Sequence, residues 1–374
     1  MVRLTSMQAL VAFQYGPPEA HTIAELPIPE PGPGQIQVRI AAVSLNPADV
    51  RLAAGDFRGA VDLPFPHVPG NDFAGTVSAV GESVTRFEPG DEIFGFATPR
   101  ALRHMGSSSL STGALAEYAV FEAETPFLAR RPAALDVEQA AALPTVGLTA
   151  RALMASAEVR PGMKVLVVGA TGGVGTAVLP LLAAAGAHVV ATARDAGAAA
   201  GNAAEPGARV VAAARDAGAE AGSRLAEAGA HVVAAGRDAG AVAGSAGDAD
   251  LVRSLGAAEA VGYDDYPDGV DLALNLVLPG DRLDRLVAAV RPGGTLLSIT
   301  FPPPAAHDDV DVRLVLDMEA RHGGMAEVAA DALAGRLRAR IAARYEFADA
   351  VRALTHFATG HKTGKLLVRV GSGT

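Results

Sequence analysis

Cysteine is absent from the 374 residues, lysine occurs only at Lys164, Lys362 and Lys365, and charged side chains make up just 19% of the chain. Without thiols there is no disulfide, no thiolate nucleophile and no zinc site built on sulfur. Acidic residues outnumber basic ones by 41 to 31, a formal charge of −10. Such a chain has no global basic field for a nucleic acid or an anionic membrane, so neither is an expected partner and any phosphate must be bound locally. The first fifteen residues lack the continuous apolar stretch of a secretory signal, and a cytoplasmic location is expected. One long uncharged run, residues 165–193, is interrupted by Gly169, Gly172, Gly173, Gly175, Pro180 and Gly186. Two strands around a buried helix account for it better than a membrane span.

What the chain does contain is hydrophobic residues, at 50%, and 42 glycines, which exclude wholesale disorder and allow two packed domains. Up to about residue 127, short apolar runs (35–43, 73–80, 115–121) are separated by Pro and Gly clusters, the texture of a mostly β domain. From Pro132 onward, helical patterns (137–154, 174–185, 250–255, 283–290) alternate with strands (164–168, 188–193, 270–275, 295–300). Alternation of that kind predicts a doubly wound parallel sheet. The tail reads as a helix over 347–358 and a strand over 365–370 that returns to the first domain. Residues 181–201, 202–222 and 223–244 are near-copies. Two surplus copies inside a regular βαβ series point to slipped duplication, so about 202–244 reads as a peripheral insertion rather than a solenoid.

The sharpest motif is Val165-Leu166-Val167-Val168-Gly169-Ala170-Thr171-Gly172-Gly173-Val174-Gly175. A buried strand feeds a glycine-rich turn that opens a helix, so free N–H groups and the helix N-terminus can hold a pyrophosphate. The following strand ends in Thr192-Ala193-Arg194. A guanidinium where NAD-preferring sites place an acid suits a 2′-phosphate, so NADPH is the expected cofactor, with Asp195 the counter-signal.

Upstream stand Ser44-Leu45-Asn46-Pro47-Ala48-Asp49, then Val68-Pro69-Gly70-Asn71-Asp72 with Gly75 and Gly81, then Pro89-Gly90-Asp91, Gly113 to Tyr118, and Ala140 to Ala150 with Pro144, Gly147 and Thr149. In this order the motifs resemble the medium-chain dehydrogenase/reductase superfamily, in its zinc-independent quinone oxidoreductase (zeta-crystallin-like) branch. The resemblance covers nearly the whole chain apart from residues 196–247 and the loop 99–112. It implies an α/β chain with a GroES-like β-rich catalytic domain (1–128 and 336–374), a Rossmann domain (129–335) and a homodimer. It places Asn46 and Thr149 near a nicotinamide as the catalytic candidates. Ala170, Thr171, Gly172, Gly173, Val174 and Gly175 would lie under the pyrophosphate, and Tyr263 near the adenosine phosphate. Asn275, Leu276, Val277, Ser298, Ile299, Thr300 and Lys365 would line the remaining cofactor surface.

Zinc-dependent members carry a cysteine near the position of Asn46 and a Gly-His-Glu where this chain has Gly70-Asn71-Asp72, so no metal is expected. Hydride transfer from NADPH to a polarised C=C of an enone, enoyl thioester or quinone then remains. An enoyl reductase dedicated to a polyketide or acyl pathway shares that chemistry, and a non-catalytic NADPH-binding protein is the reading of another class. Each site residue also has a plainer role: Asn46 as a turn residue before Pro47, Thr149 bonded to its own helix, Lys365 as a solvated strand-end charge. Asp72 and Tyr118 read as structural. His67 and His104, both in loops, are weak proton-donor candidates, since loop histidines are usually exposed. The substrate pocket is expected between the domains, walled partly by residues 56–65 and 99–112.

Overall fold

The computed structural model describes residues 5–59, 62–97, 113–196, 247–317 and 319–371. The loop 99–112 with His104, and the surplus copies at 202–244, lie outside these.

The first part of the chain supplies β1 (Ser6–Val11), β2 (Thr22–Pro27), β3 (Gln35–Ser44), α1 (Pro47–Ala54), β4 (Asp72–Val80), β5 (Glu92–Phe96), β6 (Tyr118–Glu122) and β7 (Leu128–Arg130). β1 and β2 form an antiparallel pair, while β3, β4, β5 and β7 run antiparallel in one sheet, with β6 also on β3. β3 earns its central place by alternation, since Ile36, Val38 and Ile40 are buried on one face.

Then follow α2 (Val137–Ala142) and α3 (Pro144–Ala157). The expected single helix over 137–154 is thus two. Pro144 has no N–H to continue a helix and its ring suits a first helical position, so the chain breaks at Leu143 and restarts. Beyond it come β8 (Lys164–Val168), α4 (Gly173–Ala184), β9 (His188–Thr192), α5 (Asp248–Ser254), β10 (Glu259–Val261), β11 (Val270–Asn275), α6 (Asp284–Ala289), β12 (Val290–Ser298) and β13 (Asp311–Leu314). All six strands are parallel, in the order β10-β9-β8-β11-β12-β13. The chain winds outward from β8 one way, then from β11 the other. That reversal opens a crevice at the C-terminal ends of β8 and β11, where ligands bind in such sheets.

The chain closes with α7 (Met325–Leu333), β14 (Ile341–Glu346), α8 (Ala350–Thr359) and β15 (Lys365–Arg369). β15 runs antiparallel to β3 and parallel to β14, so the tail does rejoin the first sheet. A single core continues from Phe94, Phe96 and Phe127 through Leu143, Val146 and Leu153 to Val165, Val167 and Val178. The α2–α3 pair therefore ties the two sheets together. No helix among the described residues is long and apolar enough to cross a membrane.

Candidate active site

The glycine turn lies at the crevice. Gly169 leaves β8 with φ 88°, a left-handed conformation that favours glycine, and a Cβ there would meet Val277 at 3.0 Å. Gly175 is needed for space, because a Cβ would stand 2.4 Å from the Ala170 carbonyl oxygen. Gly172 differs: it is extended, at φ −70°, and a Cβ would find only Gly169 O at 3.4 Å. The surface over Gly172 is a cradle that a side chain would fill, which fits a pyrophosphate close against the backbone. Ala170 and Thr171 are buried beneath it. Thr192 Oγ1 accepts from Gly169 N at 3.1 Å, so the end of β9 braces the turn.

Across from the turn is a buried polar cluster built from residues far apart in sequence. Asn46 caps α1, its N–H donating to Asp49 Oδ2 at 2.7 Å, with Pro47 at the first helical position. Lys365 Nζ donates to Asn46 Oδ1 at 2.6 Å and to Asp72 Oδ2 at 3.1 Å. Asp72 also accepts from Ser44 Oγ at 3.3 Å and, on Oδ1, from Thr145 N at 3.1 Å and Thr145 Oγ1 at 2.6 Å. Lys365 is 4% exposed and Asp72 fully buried, so Lys365 is not the solvated strand-end charge of its plainer reading. Removing one partner of such a pair costs about 3–5 kcal/mol, because the other charge stays buried. The stem of Lys365 lies on the turn, where a Cβ on Gly173 would meet its Cδ at 2.9 Å.

Asp49, below this cluster, accepts from Gly70 N at 2.9 Å as well. Burial pushes its carboxyl up to about 7, with Asp72 adding to the rise, while the two backbone N–H bonds and Lys365 oppose it.

Thr149, half-buried, lines an apolar cleft with Phe96, Thr145, Leu148, Ala152, Ile299, Val315, Leu316 and Asp317. The space inside it, including its open mouth, is about 420 Å³. No residue of 56–65 is among these. Leu63 instead packs with Ala48, Leu52 and Phe301, and Phe57 and Phe65 lie against that group.

The remaining candidates divide into two groups. Asn275 Nδ2 donates to Leu278 O at 2.7 Å, Ser298 Oγ at 2.9 Å and Thr300 Oγ1 at 3.0 Å, while Oδ1 accepts from Val277 N and Leu278 N. Its side chain is thus engaged in shaping the turn after β11, with Leu276 and Val277 half-buried at the crevice. At the β9–β10 side, Val261 pairs with Thr192, and Arg194 and Tyr263 each follow in the chain just beyond those paired residues. The Asp195 carboxylate accepts from Gly247 N at 3.0 Å and Ala249 N at 2.9 Å, capping α5. Partial burial raises its pKa, but those N–H bonds outweigh that and leave it below the ordinary carboxylate value. The loop expectation fails for His67. It is 3% exposed, because its backbone pairs both ways with Ala12 and draws the ring inward.

Sequence reading missed Asp72 and Thr145 as members of the site, and Phe96, Leu148, Ala152, Val315 and Leu316 as walls of the cleft. The charge of Asp72 within a hydrophobic strand was the one available signal.

Two family models match the chain: the alcohol dehydrogenase GroES-like domain over residues 32–132, and the zinc-binding dehydrogenase domain over residues 248–368. Human quinone oxidoreductase is 34% identical over 189 residues, which are 50% of this chain and 53% of that protein. The chain belongs to the medium-chain dehydrogenase/reductase superfamily, in its quinone oxidoreductase-like branch. The matched region spans about half the length of the human protein. A chloroplastic NADPH-dependent alkenal/one oxidoreductase of Arabidopsis thaliana is 27% identical over 97% of this chain and 79% of its own. The solved quinone oxidoreductase of Coxiella burnetii superposes with a TM-score of 0.73 over 98% of this chain and 100% of its own, at 22% identity, and shares the fold. The first sheet is accordingly GroES-like and the second Rossmann-like.

Proposed function

We propose that the protein is an NADPH-dependent, zinc-independent oxidoreductase that transfers hydride to an activated C=C of an enone, enoyl thioester or quinone. One observation carries the reading. The Lys365 stem lies against Gly173 of the turn while its Nζ reaches Asn46 and Asp72, so a dinucleotide held by the turn lies beside buried polar groups. Bound NADPH supplies the hydride. The backbone N–H groups opening α4 hold its phosphates and Lys365 adds a positive charge beside them. Asn46 Nδ2 and Thr149 Oγ1 are the donors offered to the reacting region, and the apolar cleft excludes water from it.

For the metal, the donor set argues against a family-type zinc: Asn46 and Asn71 stand where zinc-dependent members have cysteine and histidine, and the chain has no thiolate. For the cofactor, Asp195 caps α5, and Arg194, just beyond β9 where NAD-preferring sites place an acid, carries a guanidinium suited to a 2′-phosphate. Relatives named for quinones and for alkenals, the latter with NADPH, support the same reading.

The catalytic domain is assigned to 1–128 and 336–374 and the cofactor domain to 129–335, and the protein is taken to be a cytoplasmic homodimer. The test is NADPH oxidation across quinones, enones and enoyl thioesters. Turnover with at least one acceptor is expected, and binding of NADPH without turnover of any of them would favour a non-catalytic binding protein.

A further inference from the structure

Asparagine amides are ambiguous about which end accepts and which donates, but an ammonium removes the ambiguity because it has no lone pair to offer. Lys365 Nζ lies 2.6 Å from one end of the Asn46 amide, which must be the oxygen. The ammonium is itself held by Asp72 Oδ2 at 3.1 Å, and Asp72 is held by Ser44 and both Thr145 donors. With its oxygen bound inward, Asn46 keeps Nδ2, whose one hydrogen bond among the described residues is a long 3.4 Å bond to Ser44 O. One of the two Nδ2 protons is therefore left for another molecule.

We propose that Asp72 and Lys365 are positioning residues that polarise Asn46, fixing its amide so that it acts only as a hydrogen-bond donor to the reacting molecule. The inference rests on the reading that Asn46 adjoins the reacting region. It adds that the direction of the amide is imposed by a chain of charge running Asp72, Lys365, Asn46. An acceptor at that place would repel the oxygen on which negative charge develops, whereas a donor stabilises it. The chain crosses the molecule: Asp72 lies on β4 and Lys365 on β15, next to Gly364, which bridges to Gly172 of the glycine turn.

The chain has four asparagines, Asn46, Asn71, Asn202 and Asn275, so protein labelled with 15N-asparagine shows four side-chain amide pairs. The Asn46 pair is identified as the one that Asn46→Asp deletes. In the cofactor-free protein, Asp72→Asn, whose added fifth pair is identified as the new one that persists when Asn46→Asp is added to it, and Lys365→Met should both shift the Asn46 pair, and Lys365→Arg should restore it. In turnover, Asp72→Asn should lower kcat about tenfold or more while the KM for NADPH changes less than about threefold, the split expected when an interaction made only in the transition state is lost. An Asn46 pair unmoved by Asp72→Asn and Lys365→Met, or a kcat equal to wild type in Asp72→Asn, overturns the inference. If Asp72→Asn does not fold, Lys365→Met and Lys365→Arg decide by the amide signal. The underlying reading fails separately: Asn46→Ala with undiminished kcat removes Asn46 from the reaction, whatever the amide spectra show.

Discussion

His67 offers a quantitative test of burial, because its charge has nowhere to go. Its ring is buried, its Nδ1 has no hydrogen-bond partner among the described residues, and desolvation, aided by the nearby His21, lowers its pKa from 6.5 to about 4. The unfolded chain protonates near 6.5 and the folded chain does not, so between those values the unfolded state binds more protons. Stability must then fall as pH falls through that window. At about pH 5 the loss is roughly 2 kcal/mol, and the limiting value, 2.5 pKa units at ~1.36 kcal/mol each, is about 3 kcal/mol. Burial lowers His21 too, in the same sense. Asp49 acts oppositely: raised to about 7, it holds a proton in the folded state and contributes stability that fades as pH rises from about 4 to 7. The wild-type profile blends these effects, so the informative quantity is the difference between wild type and His67→Phe, which keeps the backbone pairing with Ala12. In guanidinium unfolding, the variant should gain about 2 kcal/mol on wild type between about pH 7.5 and about pH 5. A difference that stays flat over that range, or an NMR titration of the His67 ring near 6.5 in the folded protein, would refute the reasoning.

Other outcomes follow from the same contacts. Gly172→Ala has room for its Cβ and an ordinary φ, so it should melt like wild type yet bind NADPH at least about tenfold more weakly, a loss of ~1.4 kcal/mol; Gly175→Ala, which collides with Ala170, should lose stability as well, by about 1–3 kcal/mol. Calorimetric titration and thermal melts separate the two. Arg194→Ala should weaken NADPH about tenfold to a hundredfold and NADH little, since charge-assisted bonds to a phosphate contribute roughly 1.5–3 kcal/mol; equal weakening of both argues against the phosphate assignment. Deleting 202–244 should leave a folded, NADPH-binding protein, because Asp195 already bonds Gly247 and Ala249 and the shortened connection joins neighbouring points; circular dichroism and cofactor binding check it. Turnover should survive dialysis against a strong chelator, and activity lost there but restored by zinc would overturn the metal-free mechanism.

Where structure depended on neighbours in the chain, the sequence by itself was enough. β8, the glycine turn, α4 and β9 occupy 29 consecutive residues, Lys164 to Thr192, and each is specified locally: by β-branched runs, by glycines where a Cβ would collide, and by a helix opening at Gly173. That the second sheet is parallel was legible in the same way, from alternation alone; its strand order was not. β13, β14 and α7 were missed. β13 and β14 are short and alternate only between exposed and half-buried residues, so they lack the continuous apolar run that marks a fully buried strand.

Tertiary structure decided which charges became part of the site. Asn46 and Lys365 are 319 residues apart, and Asp72 and Lys365 are 293 apart, so no local pattern distinguishes Lys365 from a solvated end-of-strand lysine or Asp72 from an ordinary strand residue. They meet because β15 returns to pair with β3 beside β4. His67 shows the same limit, since its loop position predicts exposure and only the pairing with Ala12 takes it inside. Local propensity reaches a few residues along the chain. Burial and the electrostatics that follow from it are set by whichever distant segments pack there, and that is information the order of residues carries only through the completed fold.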